Sequence, residues 1–153
     1  MPSRDCWLIG VGTGVAMPAE PPRFVLDTSA ILALRGNEGG AAWVDHILRA
    51  ARAGSAIVLV SFMTRMELLY RITADEGSDA AHDAVRLLDA TGIEWISCED
   101  EILEAAAALK ARGGLSVADA WIAATALERG AVLVHKDPEF AAAKGTKLQR
   151  LPK

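Results

Sequence analysis

The chain has 153 residues, 52% of them hydrophobic, and a formal net charge of −4 at neutral pH, which suits one packed domain and argues against a protein that coats nucleic acid through bulk positive charge. Its two cysteines, Cys6 and Cys98, lack metal-ligand spacing, which argues against a zinc site or a disulfide framework and fits a reducing cytoplasm.

Residues 1–22 differ from the rest of the chain. They contain the run "WLIGVGTGVA", followed by the proline-rich "MPAEPP". The run is too rich in glycine, and too poor in preceding positive charge, to be typical of a secretory signal. It also lacks the G-x-G-x-x-G spacing of a phosphate-binding loop. We expect residues 1–22 to be a flexible extension and residues 23–153 to form the domain, with no stretch that could span a membrane.

From Arg23 onward, short apolar runs typical of strands alternate with helical patterns. The predicted strands lie at 24–26, 56–60, 93–96, 131–134 and 147–151. The predicted helices lie at 41–53, 62–72, 81–92, 99–111 and 117–129, with a short helical turn from Pro138. This alternation predicts a three-layer α/β/α sandwich with a central, mostly parallel sheet.

Four acidic residues fall near predicted strand ends. Asp27 directly follows the first strand, Asp137 closely follows the fourth, and Glu67 lies on the helix that the second strand enters. Asp119 lies in the first turn of the apolar helix "SVADAWIAATAL". Because ligands of parallel sheets bind outside the carboxyl ends of the strands, one crevice would bring these residues together.

Each acid also has a structural explanation. Asp27 and Asp137 are suited to cap the helices that follow them, and Ser116 and Asp119 have a spacing that resembles a capping box. Glu67 is harder to explain in this way, because it interrupts an apolar stripe of its helix. Four separate explanations must hold if there is no site, whereas one site accounts for all four positions.

Clustered carboxylates need compensation. Two of them ~4 Å apart repel by about 4 kcal/mol at an effective dielectric constant near 20, so either protons or a cation must offset the charge. Oxygen ligands without a histidine or cysteine cluster favour Mg²⁺ or Mn²⁺ over zinc or iron. Magnesium held by carboxylates most often acts on phosphate, which predicts phosphodiester hydrolysis.

The segments "FVLDTSAIL", "MELLY" and "LSVADAWIAATALERGAVLVHKDPEF" together resemble the PIN-domain ribonucleases, and most closely the VapC-type toxins of bacterial toxin–antitoxin pairs. The resemblance runs from about Arg23 to the C-terminus. It implies that Asp27, Glu67, Asp119 and Asp137 are the catalytic acids that hold one or two Mg²⁺ or Mn²⁺ ions, and that the protein cleaves single-stranded or looped RNA. It also implies a small antitoxin that binds across the active-site groove, and a homodimer.

One position departs from the family pattern. Members commonly have a threonine or serine two residues before the last acid, where this chain has His135. A structural histidine, satisfied at the end of a strand, is the favoured interpretation there, so His135 is left out of the catalytic set. Two functions remain open: a metal-dependent endoribonuclease, or a catalytically silent PIN-like domain that binds a protein or RNA. A hydrolase of DNA or of small phosphoesters is a weaker third option.

Overall fold

The strands form one sheet in which every neighbouring pair is parallel. The computed structural model describes residues 19–153, and within them the strand order is β3-β2-β1-β4-β5. The strands are β1 (Arg23–Leu26), β2 (Ile57–Ser61), β3 (Glu94–Ile96), β4 (Val132–His135) and β5 (Lys147–Arg150).

Helices cover both faces of this sheet. One face carries α1 (Thr28–Arg35), α2 (Ala41–Arg52), α3 (Phe62–Glu76) and α4 (Ser78–Asp89). The other face carries α5 (Asp100–Ala111), α6 (Val117–Glu128) and a 3-10 helix (Pro138–Ala142). The predicted three-layer α/β/α sandwich is confirmed. Among these described helices, none has the length and hydropathy needed to cross a bilayer.

Alternation along the central strands divides the core into two clusters. Val25 and Leu133 pack against the α5 and α6 side, whereas their neighbours Leu26 and Val134 pack against the α1 to α4 side. Successive side chains of a strand point to opposite faces, so a strand buried on both faces must be apolar throughout. This is why the short runs "FVL" and "AVLV" predict central strands.

Several helix boundaries differ from the sequence prediction by one to four residues; α3, for example, continues to Glu76, and α4 ends at Asp89. Helix α4 begins at Ser78, three residues before the predicted start, because Gly77 at φ +96° ends α3 and lets the next helix begin at once. Helix α1 was expected only as the helix that Asp27 would cap, and it forms a separate element of 8 residues. The interpretations of the glycine-rich run and of Cys6 concern residues 1–18, which lie outside the described residues.

The strand order produces a crevice between β1 and β4. The chain leaves β1 toward β2 on one side and later returns to β4 on the other, so β1 and β4 flank the topological switch point. Ligands of open parallel sheets bind outside the carboxyl ends of the strands at such a point. The two ends are joined there, because the Asp27 N–H donates to the Val134 carbonyl at 3.0 Å.

Candidate functional site

Asp27 lies at the carboxyl end of β1 and is the N-cap of α1. The residue is only 4% exposed. One carboxylate oxygen, Oδ2, accepts hydrogen bonds from the Ser29 N–H at 3.0 Å and from the Ser29 hydroxyl. The same hydroxyl accepts from the Lys136 N–H at 2.9 Å. Ser29 therefore ties the first acid to the end of β4.

The environment of Asp27 opposes its charge. The pKa of this carboxyl is raised from its ordinary value of 3.8 to about 6. Burial is the largest cause, two hydrogen bonds from Ser29 oppose it, and the nearby charges of Asp119 and Glu67 add to it. A carboxylate that pays for desolvation without a cationic partner is stabilised by any cation that binds beside it.

Glu67 lies on α3 and is half-buried. Its Oε2 accepts from the hydroxyl of Thr28 at 2.6 Å, and Thr28 directly follows Asp27 in the chain. This bond joins two segments 39 residues apart and places the second acid beside the first.

Asp119, Asp137 and Glu139 form the tightest group of acids. One carboxylate oxygen from each lies within 4.8 Å of the other two. Asp119 is in the first turn of α6, where its N–H donates to the Ser116 hydroxyl at 3.0 Å and its Oδ2 accepts from that hydroxyl at 2.6 Å. Asp137 is the N-cap of the 3-10 helix, and its Oδ1 accepts from the Glu139 N–H at 2.8 Å.

Each of the four predicted acids uses one carboxylate oxygen in a hydrogen bond that supports the fold: Oδ2 of Asp27, Oε2 of Glu67, Oδ2 of Asp119 and Oδ1 of Asp137. Two of them, Asp27 and Asp137, are helix N-caps. The second oxygen of each has no hydrogen-bond donor among residues 19–153. These bonds therefore fix the carboxylates while leaving one oxygen of each free for a ligand.

The acids lack partners of opposite charge within the described part of the chain. No lysine or arginine of residues 19–153 forms a salt bridge with any of these four acids or with Glu139. A concentrated negative charge with oxygen ligands alone is the donor set that Mg²⁺ and Mn²⁺ prefer. These residues therefore fit a divalent metal.

Sequence reasoning missed Glu139. It follows Asp137 by two residues in "DPEF", a segment that reads as a helix cap followed by proline. The signal that could have identified Glu139 is the tight turn predicted at this proline, because such a turn can bring two acids that are two residues apart to the same side of the chain. Asp27 and Glu67 are not in the group of acids whose oxygens lie within 4.8 Å of one another. Asp27 is close enough to this group for the negative charge of Asp119 to raise its pKa.

His135 is a buried residue of β4 with 3% exposure. Its Nδ1 lies 2.7 Å from the Asp137 carbonyl, and its ring packs edge-on against Phe140 with centroids 5.1 Å apart. Burial lowers the pKa of the imidazole, and Arg150 lowers it further, against the hydrogen bond to Asp137 and the charge of its carboxylate. The ring therefore stays neutral near pH 7.

Comparison with known proteins identifies the family. A family model described as PIN domain matches residues 24–145. The chain belongs to the PIN domain family. Among curated proteins, none matches this sequence at a significant level.

Solved structures share the fold of this PIN domain. VapBC2 of Rickettsia felis, bound to a DNA fragment from its promoter, matches with a TM-score of 0.69 and 16% identity, covering 85% of this chain and 99% of that one. VapBC-5 of Mycobacterium tuberculosis, from the VapBC family of toxin–antitoxin systems, has a TM-score of 0.60 and 25% identity over the same shares of the two chains. VapC20 of M. tuberculosis, a toxin that cleaves the sarcin–ricin loop, has a TM-score of 0.61 and 19% identity over 79% of this chain and 95% of that one.

Proposed function

We propose that this PIN domain is a metal-dependent endoribonuclease that hydrolyses RNA phosphodiester bonds, as the toxin of a VapBC-type toxin–antitoxin pair. The observation that carries the proposal is the set of acids at the switch point, each held by one oxygen with the other oxygen free. Asp27, Glu67, Asp119 and Asp137 are the proposed metal-binding and catalytic acids, and Glu139 is added to them.

In this proposal the bound Mg²⁺ or Mn²⁺ supplies charge neutralisation at the scissile phosphate and activation of the attacking water. The protein supplies the geometry. Ser29, Thr28 and Ser116 each hold one acid by a hydroxyl hydrogen bond, so the free oxygens are fixed before the metal or the RNA arrives. Preorganisation of this kind avoids a reorganisation cost when the ligand binds.

The partners of the protein belong to the same proposal. The similar structures include toxin–antitoxin complexes and a toxin that cleaves an RNA loop, which supports a cognate antitoxin and an RNA substrate for this protein. A homodimeric state and a cytoplasmic location are proposed with them, on the resemblance of the sequence to VapC-type toxins. The alternative is a catalytically silent PIN-like domain that binds a protein or RNA. It would have the same fold and the same helix caps, but its function would not require a metal.

Metal removal tests the function directly. The protein is freed of metal with EDTA and incubated with total bacterial RNA, and new 5′ ends are mapped by sequencing. We expect discrete cleavage with added Mg²⁺ or Mn²⁺ and none in EDTA, because the acids repel the phosphate when no cation is present. Equal cleavage in EDTA, or no cleavage under any metal condition, would contradict the proposal.

Replacing Glu139 tests the residue that sequence reasoning missed. We expect Glu139→Gln to weaken Mn²⁺ binding by about tenfold, because the amide keeps the size but removes one negative charge from the group. Calorimetric titration of metal-free protein measures the change. Glu104→Gln on the exposed surface of α5 is the matched control, and an equal loss in both variants would rule out a local role for Glu139.

A further inference from the structure

The turn after β4 carries two of the three acids in the tightest group. Asp137 and Glu139 lie on this turn, whereas Asp119 lies on α6 and belongs to a separate stretch of chain. The spacing between the two sides of the group therefore depends on what fixes the backbone of the turn. Carboxylate positions matter because Mg²⁺ requires ligands at about 2.0–2.1 Å in nearly ideal octahedral geometry.

One side chain fixes the peptide of Asp137. The Asp137 carbonyl can only accept a hydrogen bond, so the Nδ1 of His135, 2.7 Å away, must carry the proton and donate it. This donor belongs to a rigid ring. The ring is buried against Phe140, and the His135 carbonyl itself accepts from the Leu151 N–H at 2.7 Å.

The burial of the other ring nitrogen argues against direct contact of His135 with RNA or a metal. The Nε2 of His135 is buried and has no hydrogen-bond partner among the described residues. It cannot contact an RNA strand in the crevice, and it is not positioned at the surface where a metal-bound ligand would lie. The direct link between the His135 ring and the acidic turn is therefore its hydrogen bond to the Asp137 carbonyl.

We propose that His135 is a positioning residue of the acidic site: its hydrogen bond to the Asp137 carbonyl holds Asp137 and Glu139 at the spacing from Asp119 that a divalent cation needs. This inference rests on the proposed metal-dependent function. It also gives a role to the position where this chain departs from the threonine or serine common in similar proteins. The imidazole acts through the backbone rather than through a hydroxyl near the reacting atoms.

Two substitutions separate positioning from packing. His135→Phe keeps the ring and its contact with Phe140 but removes the donor, whereas His135→Asn keeps a donor close to the place of Nδ1. We expect His135→Phe to bind Mn²⁺ about tenfold to a hundredfold more weakly, as is usual when the support of a metal ligand is lost. We expect His135→Asn to stay within about threefold of wild type.

His82→Phe is the matched control. The Nδ1 of His82 also lies close to a backbone carbonyl, that of Ser78 at 2.8 Å, but His82 is on the exposed side of α4. Its replacement should leave Mn²⁺ affinity unchanged. Wild-type affinity in His135→Phe would overturn the positioning role alone, whereas an absence of Mn²⁺ binding in wild type would overturn the proposed function and this inference with it.

A measurement on the wild-type protein covers the case in which His135→Phe does not fold. Long-range ¹H–¹⁵N spectra report which ring nitrogen carries the proton and how fast it exchanges with water. We expect a proton on Nδ1 whose exchange slows severalfold when Mg²⁺ saturates the site. A proton on Nε2 instead, or an exchange rate that Mg²⁺ does not change, would overturn the inference.

Discussion

Replacing Asp119 with asparagine is expected to lower metal-dependent RNA cleavage by about a hundredfold or more while leaving the fold intact. The asparagine can still accept from the Ser116 hydroxyl, and the backbone N–H at position 119 still donates to that hydroxyl. What is lost is the free carboxylate oxygen and one negative charge beside Asp137 and Glu139. Cleavage should therefore fall far more than stability.

The measurement is the cleavage rate at saturating Mn²⁺, compared with the urea midpoint of the same preparation. Asp100→Asn is the matched control, because Asp100 is an exposed acid in the first turn of the neighbouring helix α5. Undiminished cleavage in Asp119→Asn would remove Asp119 from the site, and an equal loss in Asp100→Asn would show a general effect of charge.

Replacing Asp27 with asparagine is expected to stabilise the metal-free protein at pH 7.5 by about 1–3 kcal/mol and to abolish cleavage. The pKa of Asp27 rises from 3.8 in the unfolded chain to about 6 in the fold, so the folded protein binds the proton more tightly. Stability is then lost as the pH rises from about 4 to 6 and stays low above that range. An asparagine carries no charge to desolvate and caps a helix as well as aspartate does.

The sign of the pH dependence is the decisive part of this prediction. At pH 4 the carboxyl of Asp27 is protonated in the folded state and close to half protonated in the unfolded state, so most of the advantage of Asp27→Asn should be gone there. Urea unfolding in EDTA at pH 4 and at pH 7.5 measures both values. Asp45→Asn, at an exposed acid that pairs with Arg49, is the control and should show no gain at pH 7.5. A gain of equal size at both pH values, or none at pH 7.5, would contradict the assignment.

The loss of folding stability caused by the buried charge of Asp27 is what we expect of a residue retained to bind metal. A buried anion without a cationic partner lowers the stability of the free protein, and binding of Mg²⁺ to the folded state recovers stability by mass action. We therefore attribute the destabilised state of this carboxylate to the divalent cation that we propose for the crevice.

Much of this architecture is readable from local sequence. Apolar runs such as the one that ends at Leu26 must lie within the sheet, and acids that directly follow such runs must lie at its carboxyl edge. Asp27 and Asp137 were placed correctly at that edge for this reason. Helix α1 was harder to recognise, because its 8 residues are mostly apolar and show no alternation of polar and apolar faces.

The finer arrangement depends on contacts between distant segments. The hydrogen bond from Thr28 to Glu67 spans 39 residues and the one from Lys136 to Ser29 spans 107, so no local pattern predicts either. The assignment of one oxygen to a cap and the other to a ligand follows only from side-chain geometry. The same holds for His135, whose sequence position shows a departure from the family but not the carbonyl that the ring contacts.

Calorimetric titration of Mn²⁺ into EDTA-treated protein, for wild type and Asp119→Asn in the same buffer, tests the central claim that these acids form a divalent metal site. The proposal predicts saturable binding to wild type and none, or binding weakened about a hundredfold, in the variant. If folded wild-type protein gives neither binding heat by titration nor a rise in melting temperature with Mn²⁺, the central claim is contradicted. The acids would then have structural roles only, and the protein would be a PIN domain that acts by binding alone.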